Sequence, residues 1–140
     1  MKKSILNLLA ITFSLAVIFS SCSKAPNKIL PKKDGLWTAV FHVVTTVGGT
    51  NTGDMTYTYA ITFKSDGTAS YISGTTTYTF TWVYDKKNKT VTTLMPGASS
   101  SQVFNVEEMT SKSEKWTYSN TSSSSGVTIT IDETVNLTKV

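Results

Sequence analysis

The chain has one cysteine, Cys22, and one histidine, His42, and these side chains are the first candidates for reactive chemistry. A thiol or serine hydroxyl becomes a good nucleophile when a nearby base, usually histidine, accepts its proton. His42 has the opposite strand parity from Trp37 and Phe41, so we expect it to face solvent. No Gly-x-Ser-x-Gly elbow accompanies the serines, and one Cys and one His cannot complete a zinc site. Neither nucleophilic catalysis nor a metal centre is predicted.

Two adjacent acidic pairs, Glu107-Glu108 and Asp132-Glu133, are the remaining candidates for acid–base chemistry. A glycosidase needs two carboxyl groups that face each other across a cleft. Neighbouring residues of a strand point to opposite faces, so neither pair provides that arrangement alone. We interpret both pairs as solvated side chains, and we predict a protein that is not an enzyme and has no cofactor.

The N-terminal segment has the features of an export signal. Two lysines precede an apolar run over residues 5–19, which is shorter than the ~20 residues that span a bilayer. The run ends at Phe19-Ser20-Ser21-Cys22, which resembles the lipobox of bacterial lipoproteins, with Phe where that family usually has Leu. The resemblance implies cleavage after residue 21, a diacylglyceryl thioether on the Cys22 sulfur and an acyl chain on its amine, which anchor the chain. The alternative is an uncleaved N-terminal anchor.

Cleavage after residue 21 would leave about 119 residues, the size of one domain. Residues 22–34 contain prolines, several lysines and little apolar surface, so they predict a lipidated Cys22 followed by a flexible tether. Residues 35–140 are then the folded domain.

The formal net charge is +4, and every basic residue is a lysine. Without arginine the chain lacks the side chain that grips phosphate and guanine bidentately, so no nucleic-acid partner is predicted. Lys86, Lys87 and Lys89 are interpreted as a solvated turn.

After Asp34 the apolar residues recur with period two, which is typical of strands with one buried face. Gly-rich residues 48–54 predict a loop, Asp66-Gly67 a tight turn and Ser-rich residues 119–126 a mobile loop tip. The predicted strands cover residues 36–47, 55–64, 68–73, 77–84, 90–95, 102–107, 114–120 and 127–137.

About eight short antiparallel strands in sequence order predict an all-β meander that hides its edges by closing into an up-and-down barrel, with a β-sandwich as the alternative. The large aromatic residues favour the barrel, whose interior bulky side chains fill.

The order of several motifs resembles the lipocalin-like domain of bacterial envelope lipoproteins. These motifs are Gly35-Leu36-Trp37, the turn at residues 62–68, Thr81-Trp82-Val83-Tyr84-Asp85 with its Lys-rich turn, and residues 106–110 leading into a strand that carries Trp116. The resemblance implies a small barrel that is open at one end, with Trp37 plugging the closed base, and binding of a small apolar ligand. The chain departs from the family in having no Arg to lie over the base Trp.

A stripe of aromatic residues is the constellation with the widest functional reach, because these side chains either line a cavity or fill the core. The candidate ligand-binding residues are Trp37, Phe41, Tyr57, Tyr59, Phe63, Tyr71, Tyr78, Phe80, Trp82, Trp116 and Tyr118.

The sequence therefore predicts a lipid-anchored, non-catalytic envelope lipoprotein that binds a small hydrophobic or amphipathic ligand. The alternative is a protein-interaction module, either an inhibitor or an accessory subunit, with a fully packed barrel. Ser23 follows Cys22 without an acidic run, which favours the periplasmic face of the outer membrane.

Overall fold

Alternating apolar and Thr- or Ser-rich positions build most of the described chain, and each alternating segment forms a strand. The computed structural model describes residues 26–140, in which eight antiparallel strands form a closed up-and-down barrel. The strands are β1 (Leu36–Val47), β2 (Thr50–Phe63), β3 (Thr68–Ser73), β4 (Thr76–Asp85), β5 (Thr90–Leu94), β6 (Gln102–Met109), β7 (Ser113–Ser124) and β8 (Val127–Lys139). The predicted all-β barrel is confirmed, because β8 pairs with β1 and closes the sheet, and the alternative sandwich is wrong.

One end of the barrel, which we call the base, is closed by aromatic side chains. Trp37, Phe63 and Trp82 are all buried there. The rings of Phe63 and Trp82 meet edge to face, with centroids 5.6 Å apart. Trp82 Nε1 donates to the carbonyl oxygen of Thr68 at 3.1 Å, so the indole N–H has a partner. Edge-to-face contacts of this kind are favourable beyond the area that they bury, so the base is a packed core.

The segment before β1 covers the base and is not a flexible tether over residues 26–34. It contains a helical turn, α1 (Pro26–Ile29), and a 3₁₀ turn (Lys33–Gly35). Ile29 and Leu30 are buried in the same core as the base aromatics. The prediction of a flexible tether fails for these residues because the two apolar side chains are buried against the end of the barrel, and a local sequence pattern cannot indicate that tertiary contact. The predicted signal peptide over residues 1–21, the lipidation of Cys22 and the rest of the tether lie outside the described residues.

Gly35 makes the close approach between this segment and the barrel. Its φ of +66° lies in the left-handed region, and a Cβ at this position would overlap the backbone carbonyl of Phe63. The glycine of the Gly35-Leu36-Trp37 motif therefore has a steric reason to be glycine.

Two strands, β2 and β7, extend through segments that were predicted as loops, so those two predictions are wrong. Residues 50–54 belong to β2, and the turn between β1 and β2 is reduced to Gly48-Gly49. The Ser-rich segment to residue 124 belongs to β7, where Ser123 and Thr128 hydroxyls lie 3.2 Å apart across the hairpin. Cross-strand Ser and Thr pairs stabilise a ladder, which explains why a Ser-rich sequence continues as a strand.

The two hairpins that include β1, β2, β7 and β8 rise above the other strands at the open end. β2 pairs with β3 only at residues 61–63, and β7 pairs with β6 only up to Thr117. We call the projecting part, residues 42–47, 50–58, 119–124 and 127–133, the upper sheet. Its concave face continues the lumen and combines apolar side chains with the polar side chains of β7, whereas its outer face carries mainly Thr and Ser. The apolar side chains on the concave face are Val43, Val47, Met55, Tyr57, Val127, Ile129 and Ile131.

Candidate ligand-binding lumen

The lumen above the base is a cavity of about 310 Å³ that opens between the upper sheet and the loop after β5. Its floor is formed by Phe63, Phe104 and Trp116, which the barrel walls bury. The complete lining is Phe41, Val43, Tyr57, Tyr59, Ile61, Phe63, Tyr71, Phe80, Thr93, Met95, Gln102, Phe104, Trp116, Glu133, Val135 and Leu137. Side chains from all eight strands thus converge on one space, and most of them are apolar or aromatic.

The predicted aromatic stripe divides between this cavity and the packed parts of the barrel. Seven of its members line the lumen, namely Phe41, Tyr57, Tyr59, Phe63, Tyr71, Phe80 and Trp116. Trp37 and Trp82 lie in the base, Tyr78 stacks against Tyr71 and Tyr118 packs against Phe104. Both interpretations of the stripe therefore apply, because the aromatics fill the lower barrel and surround a space above it.

Three tyrosines from adjacent strands form a continuous stack, in which Tyr59 and Tyr71 line the lumen and Tyr78 lies beyond them at its exposed edge. The ring centroids of Tyr59 and Tyr71 are 4.8 Å apart, and those of Tyr71 and Tyr78 are 5.2 Å apart in a stacked arrangement. Burial, with the neighbouring phenols adding to it, raises the pKa of Tyr71. The Tyr71 hydroxyl therefore stays protonated near neutral pH and can donate a hydrogen bond into the lumen.

Glu133 and Gln102 supply the polar groups at the mouth of the lumen. Gln102 Nε2 donates to Glu133 Oε2 at 3.0 Å, and the bond spans β6 to β8 where β6 and β7 have separated. Burial raises the pKa of Glu133, and the bond from Gln102 opposes that rise. Glu133 is the one carboxyl group among the residues that line this cavity.

The position of Glu133 corrects the interpretation of the Asp132-Glu133 pair as solvated. The two side chains point to opposite faces, as strand geometry predicts, but only Asp132 faces solvent. Sequence parity could have shown this, because Glu133 alternates in phase with Ile131 and Val135 on the inner face. The solvated interpretation holds for Glu107, which is exposed and pairs with Lys115 at 2.8 Å.

A second inward carboxyl, Glu114, lies low in the barrel and was not among the predicted site residues. It is 2% exposed, and Trp116 Nε1 donates to its Oε2 at 2.9 Å. Its Oε1 has no hydrogen-bond partner among residues 26–140. Burial raises the pKa of Glu114 to about 7, although the bond from Trp116 opposes the rise. Glu114 shares the parity of Trp116 and Tyr118, which is the signal that would have placed it inside.

Trp37 lies at the base, where the resemblance places a plugging tryptophan. Its Nε1 donates to the carbonyl oxygen of Leu30 at 2.9 Å, which joins β1 to the covering segment. Lys139 Nζ lies 5.0 Å from the centroid of the Trp37 ring and donates to the carbonyl oxygen of Lys32 at 2.5 Å. Lys139 thus makes a cation–π contact with the Trp37 ring and also joins the end of β8 to the covering segment.

His42 lies on the outer face of β1, and its side chain is 44% exposed. Its Nε2 is 2.8 Å from Asp54 Oδ1 on β2. Within residues 26–140, no group of three or more His, Cys, Asp or Glu side chains is arranged to hold a metal ion. The His42–Asp54 contact therefore involves an exposed pair on the outer face of the sheet, opposite to the face that lines the lumen.

No protein-family model, curated protein or solved structure matches this chain. The class of protein is defined by its own geometry, a closed eight-stranded up-and-down barrel with an aromatic lumen that opens at one end. Among the described residues, no helix is long and apolar enough to cross a bilayer.

Proposed function

We propose that this protein is a lipid-anchored envelope lipoprotein whose barrel binds one small amphipathic molecule in the lumen and catalyses no reaction. The observation that carries the proposal is the unfilled upper lumen, about 310 Å³ surrounded by apolar and aromatic side chains. Small-molecule sites are typically concave, mostly apolar and upward of ~300 Å³, so this space falls at the small end of their range. By liquid volume it equals roughly ten water molecules.

The distribution of polar groups favours an amphipathic ligand over a purely apolar one. In the walls, Phe41, Tyr59 and Phe80 would contact the apolar part of the ligand. The mouth offers the Gln102 amide and the Glu133 carboxyl to a hydrogen-bonding end. A ligand that leaves those buried groups without partners would lose affinity, since unpaired polar groups are costly in an apolar site. The ligand should therefore place its donor or acceptor group at the mouth and its apolar part towards Trp116.

A pair of neighbouring residues on β1 gives a matched test of the lumen. Val43 lines the cavity, and Val44 points outward on the same strand. Val43→Trp should fill the mouth and weaken binding of the apolar fluorophore N-phenyl-1-naphthylamine at least tenfold. Val44→Trp adds the same bulk outside and should leave binding unchanged. Equal affinities in the two variants, or no binding by the unaltered chain, would contradict a ligand-binding lumen.

Membrane attachment is the second part of the proposal and rests on the lipobox-like sequence at Cys22. We place the anchor in the outer membrane, facing the periplasm. Cys22→Ser removes the sulfur that would carry the diacylglyceryl group, so the variant should remain unprocessed. Intact mass and detergent partitioning of both forms measure this. A Cys22→Ser chain that matures and partitions like the parent would contradict lipidation and would leave the lumen test unaffected.

A protein-interaction role remains a second candidate because the upper sheet exposes apolar side chains. Met55, Ile129 and Ile131 are among the exposed large hydrophobic residues, and they share its concave face. Exposed apolar patches commonly mark contact sites. Under this alternative, Ile129→Ser with Met55→Ser should abolish co-purification of a partner from membranes and spare fluorophore binding. Under the ligand hypothesis, no partner depends on these residues.

A further inference from the structure

The lysines of this protein are confined to one end of the barrel. All ten lysines within residues 26–140 lie in the segment that covers the base, in the three turns at the base, or within three residues of a strand end there. They are Lys28, Lys32, Lys33, Lys64, Lys86, Lys87, Lys89, Lys112, Lys115 and Lys139. Eight of the ten are exposed, the exceptions being Lys115 and Lys139. The connections at the open end consist of Gly, Ser, Thr, Ala, Met and Pro residues.

The carboxyl groups do not cancel this asymmetry. Six of them lie in the basal half, which leaves a formal charge of +4 there, and three lie in the upper half, which has −3. The upper-half carboxyl groups belong to Asp54, Asp132 and Glu133.

Several basal carboxylates are already engaged in local contacts. Asp66 accepts the backbone N–H of Thr68 at 2.8 Å, and Asp85 accepts that of Lys87 at 2.8 Å. These bonds lower the pKa of both carboxyl groups, Asp66 through its Thr68 contacts and Asp85 mainly through Asn88, and hold them in turn conformations. The exposed lysine ammonium groups extend further than these short side chains, so the outermost layer of the base is cationic.

The chain enters the fold at this same cationic end. Pro26 is buried against the base, and Lys28, Lys32 and Lys33 surround the entry point. Only three residues separate Cys22 from Pro26, so the intervening chain can span at most about 14 Å. Any membrane attachment at or before Cys22 would therefore hold the base, rather than the mouth, close to the bilayer.

We propose that the base is a docking face for an anionic membrane surface, which directs the open lumen away from the bilayer. Lysines act as compact point charges towards lipid phosphates, and each one near an anionic surface strengthens binding roughly fivefold. The effect is confined to about a Debye length, roughly 8 Å at physiological salt, so it acts only when the base lies against the bilayer, and the short tether permits that position. The ligand then enters and leaves on the aqueous side. This inference does not require the lumen to bind anything.

Distance measurements on the full-length chain in vesicles test the orientation. Ser111→Cys places a fluorescent donor in a basal turn, and Ser124→Cys places one at the tip of the β7–β8 hairpin. Acceptor lipids sit in vesicles of phosphatidylglycerol with phosphatidylcholine, or of phosphatidylcholine alone. From the length and tilt of β7, the tip should lie roughly 30 Å further from the anionic surface than the base does. The parent chain without an added cysteine shows whether Cys22 has a free thiol that would also label.

Two variants with the same change in net charge separate the base from overall electrostatics. Lys64→Gln, Lys86→Gln, Lys87→Gln and Lys112→Gln together remove four basal charges. Thr50→Glu, Thr75→Glu, Ser99→Glu and Ser101→Glu together add four negative charges at the open end. The first set should reduce the difference between the two distances in anionic vesicles to the smaller value that the anchor alone gives in phosphatidylcholine vesicles, and the second should preserve it.

Two results would overturn the proposal. One is equal donor distances for the unaltered chain in anionic vesicles. The other is an unchanged difference in the basal variant. If the basal lysines instead bound a DNA or RNA duplex while vesicle composition had no effect, the face would belong to a different anion and the membrane assignment would be wrong.

Discussion

The lower and upper halves of the barrel share the same inward and outward alternation of side chains, yet one is a packed core and the other is a cavity. In the lower half, Trp37, Phe63 and Trp82 are buried, the rings of Phe63 and Trp82 meet edge to face, and Ile29 and Leu30 belong to the same core. In the upper half, Tyr57 and Tyr78 are exposed and nothing among residues 26–140 covers the mouth. The difference has two causes. The segment before β1 covers only the base, and β3 to β6 end before the upper sheet begins.

Each half also contains one inward carboxyl, and the two differ in depth. Glu114 is buried with one partner, Trp116, whereas Glu133 is half-buried with Gln102 and opens to the mouth. Burial raises the pKa of both groups. A carboxyl that must lose solvent on folding favours the protonated form, so both halves should lose stability as pH rises, and the lower half should lose more.

The largest expected effect is the loss of the plug. Trp37→Ala should lower the free energy of unfolding by about 3–5 kcal/mol, because it removes a fully buried indole and the hydrogen bond to Leu30. Tyr78→Ala, at the exposed edge of the upper lumen, should cost less than half as much. Urea denaturation followed by circular dichroism measures both. Equal costs would mean that the upper half is packed as tightly as the base.

The second prediction concerns pH and Glu114. Its folded-state pKa of about 7 lies above the ordinary 4.5, so its contribution to stability is fully present below pH 4.5 and is lost as pH rises through 7. The loss amounts to about 3 kcal/mol between those limits. Glu114→Gln should remove most of this slope, leaving the smaller part that belongs to Glu133, and should make the protein more stable than the parent at pH 8.

Denaturant titrations from pH 4 to pH 8 on both chains test this expectation. Glu108→Gln is the control, because Glu108 is an exposed carboxyl in the paired region of β6 next to Glu114. Two results would contradict the role of Glu114. One is a parent protein whose stability does not change over this pH range, and the other is a Glu114→Gln variant whose stability depends on pH as strongly as that of the parent. Tyr84 is the ionisable neighbour, and burial followed by the Glu114 charge raises its pKa above 10, outside this window.

The sequence predicts the strands well and the two ends poorly, for physical reasons. Period-two alternation is a local property, so β3 and β5 were predicted within one residue of their observed bounds. The burial of Ile29 and Leu30 is not local, because two apolar residues among Pro and Lys carry no pattern until a barrel end meets them. The cavity is also not local, since whether Tyr59 and Phe80 fill a lumen depends on barrel radius and side-chain rotamers. Strand parity places both Glu114 and Glu133 on the inner face, but Glu133 is interpreted from its charge as solvated and Glu114 is not among the candidate residues.

A smaller effect is expected at the contact between Lys139 and Trp37. Lys139→Gln should cost about 1 kcal/mol, because it removes a cation 5.0 Å from the ring centroid and a bond to the Lys32 carbonyl. Lys139→Arg should retain most of that stability, since guanidinium also stacks on indole and donates hydrogen bonds. Lys64→Gln, at an exposed lysine of a basal turn, is the control. If all three variants matched the parent, the contact would contribute nothing to holding the covering segment.

The smallest expected effect on stability, and the one that most sharpens the comparison, is at Glu133. Glu133→Gln should change the unfolding free energy by less than ~1 kcal/mol, because the side chain is half-exposed and its interactions are screened. Its consequence should appear in binding instead. Ionisation of Glu133 makes the mouth more costly to desolvate, so the affinity for the neutral fluorophore should fall a few-fold as pH rises through the elevated pKa.

Fluorophore titrations at several pH values, on Glu133→Gln and on Asp132→Asn, separate the two faces of β8. The inner variant should lose the pH dependence and the outer one should keep it, because Asp132 faces solvent. If the outer variant alone lost it, the affinity would report the surface charge of the upper sheet. If Glu133→Gln instead destabilised the fold as much as Trp37→Ala, Glu133 would belong to a packed core. The upper half would then contain no open cavity in the native protein.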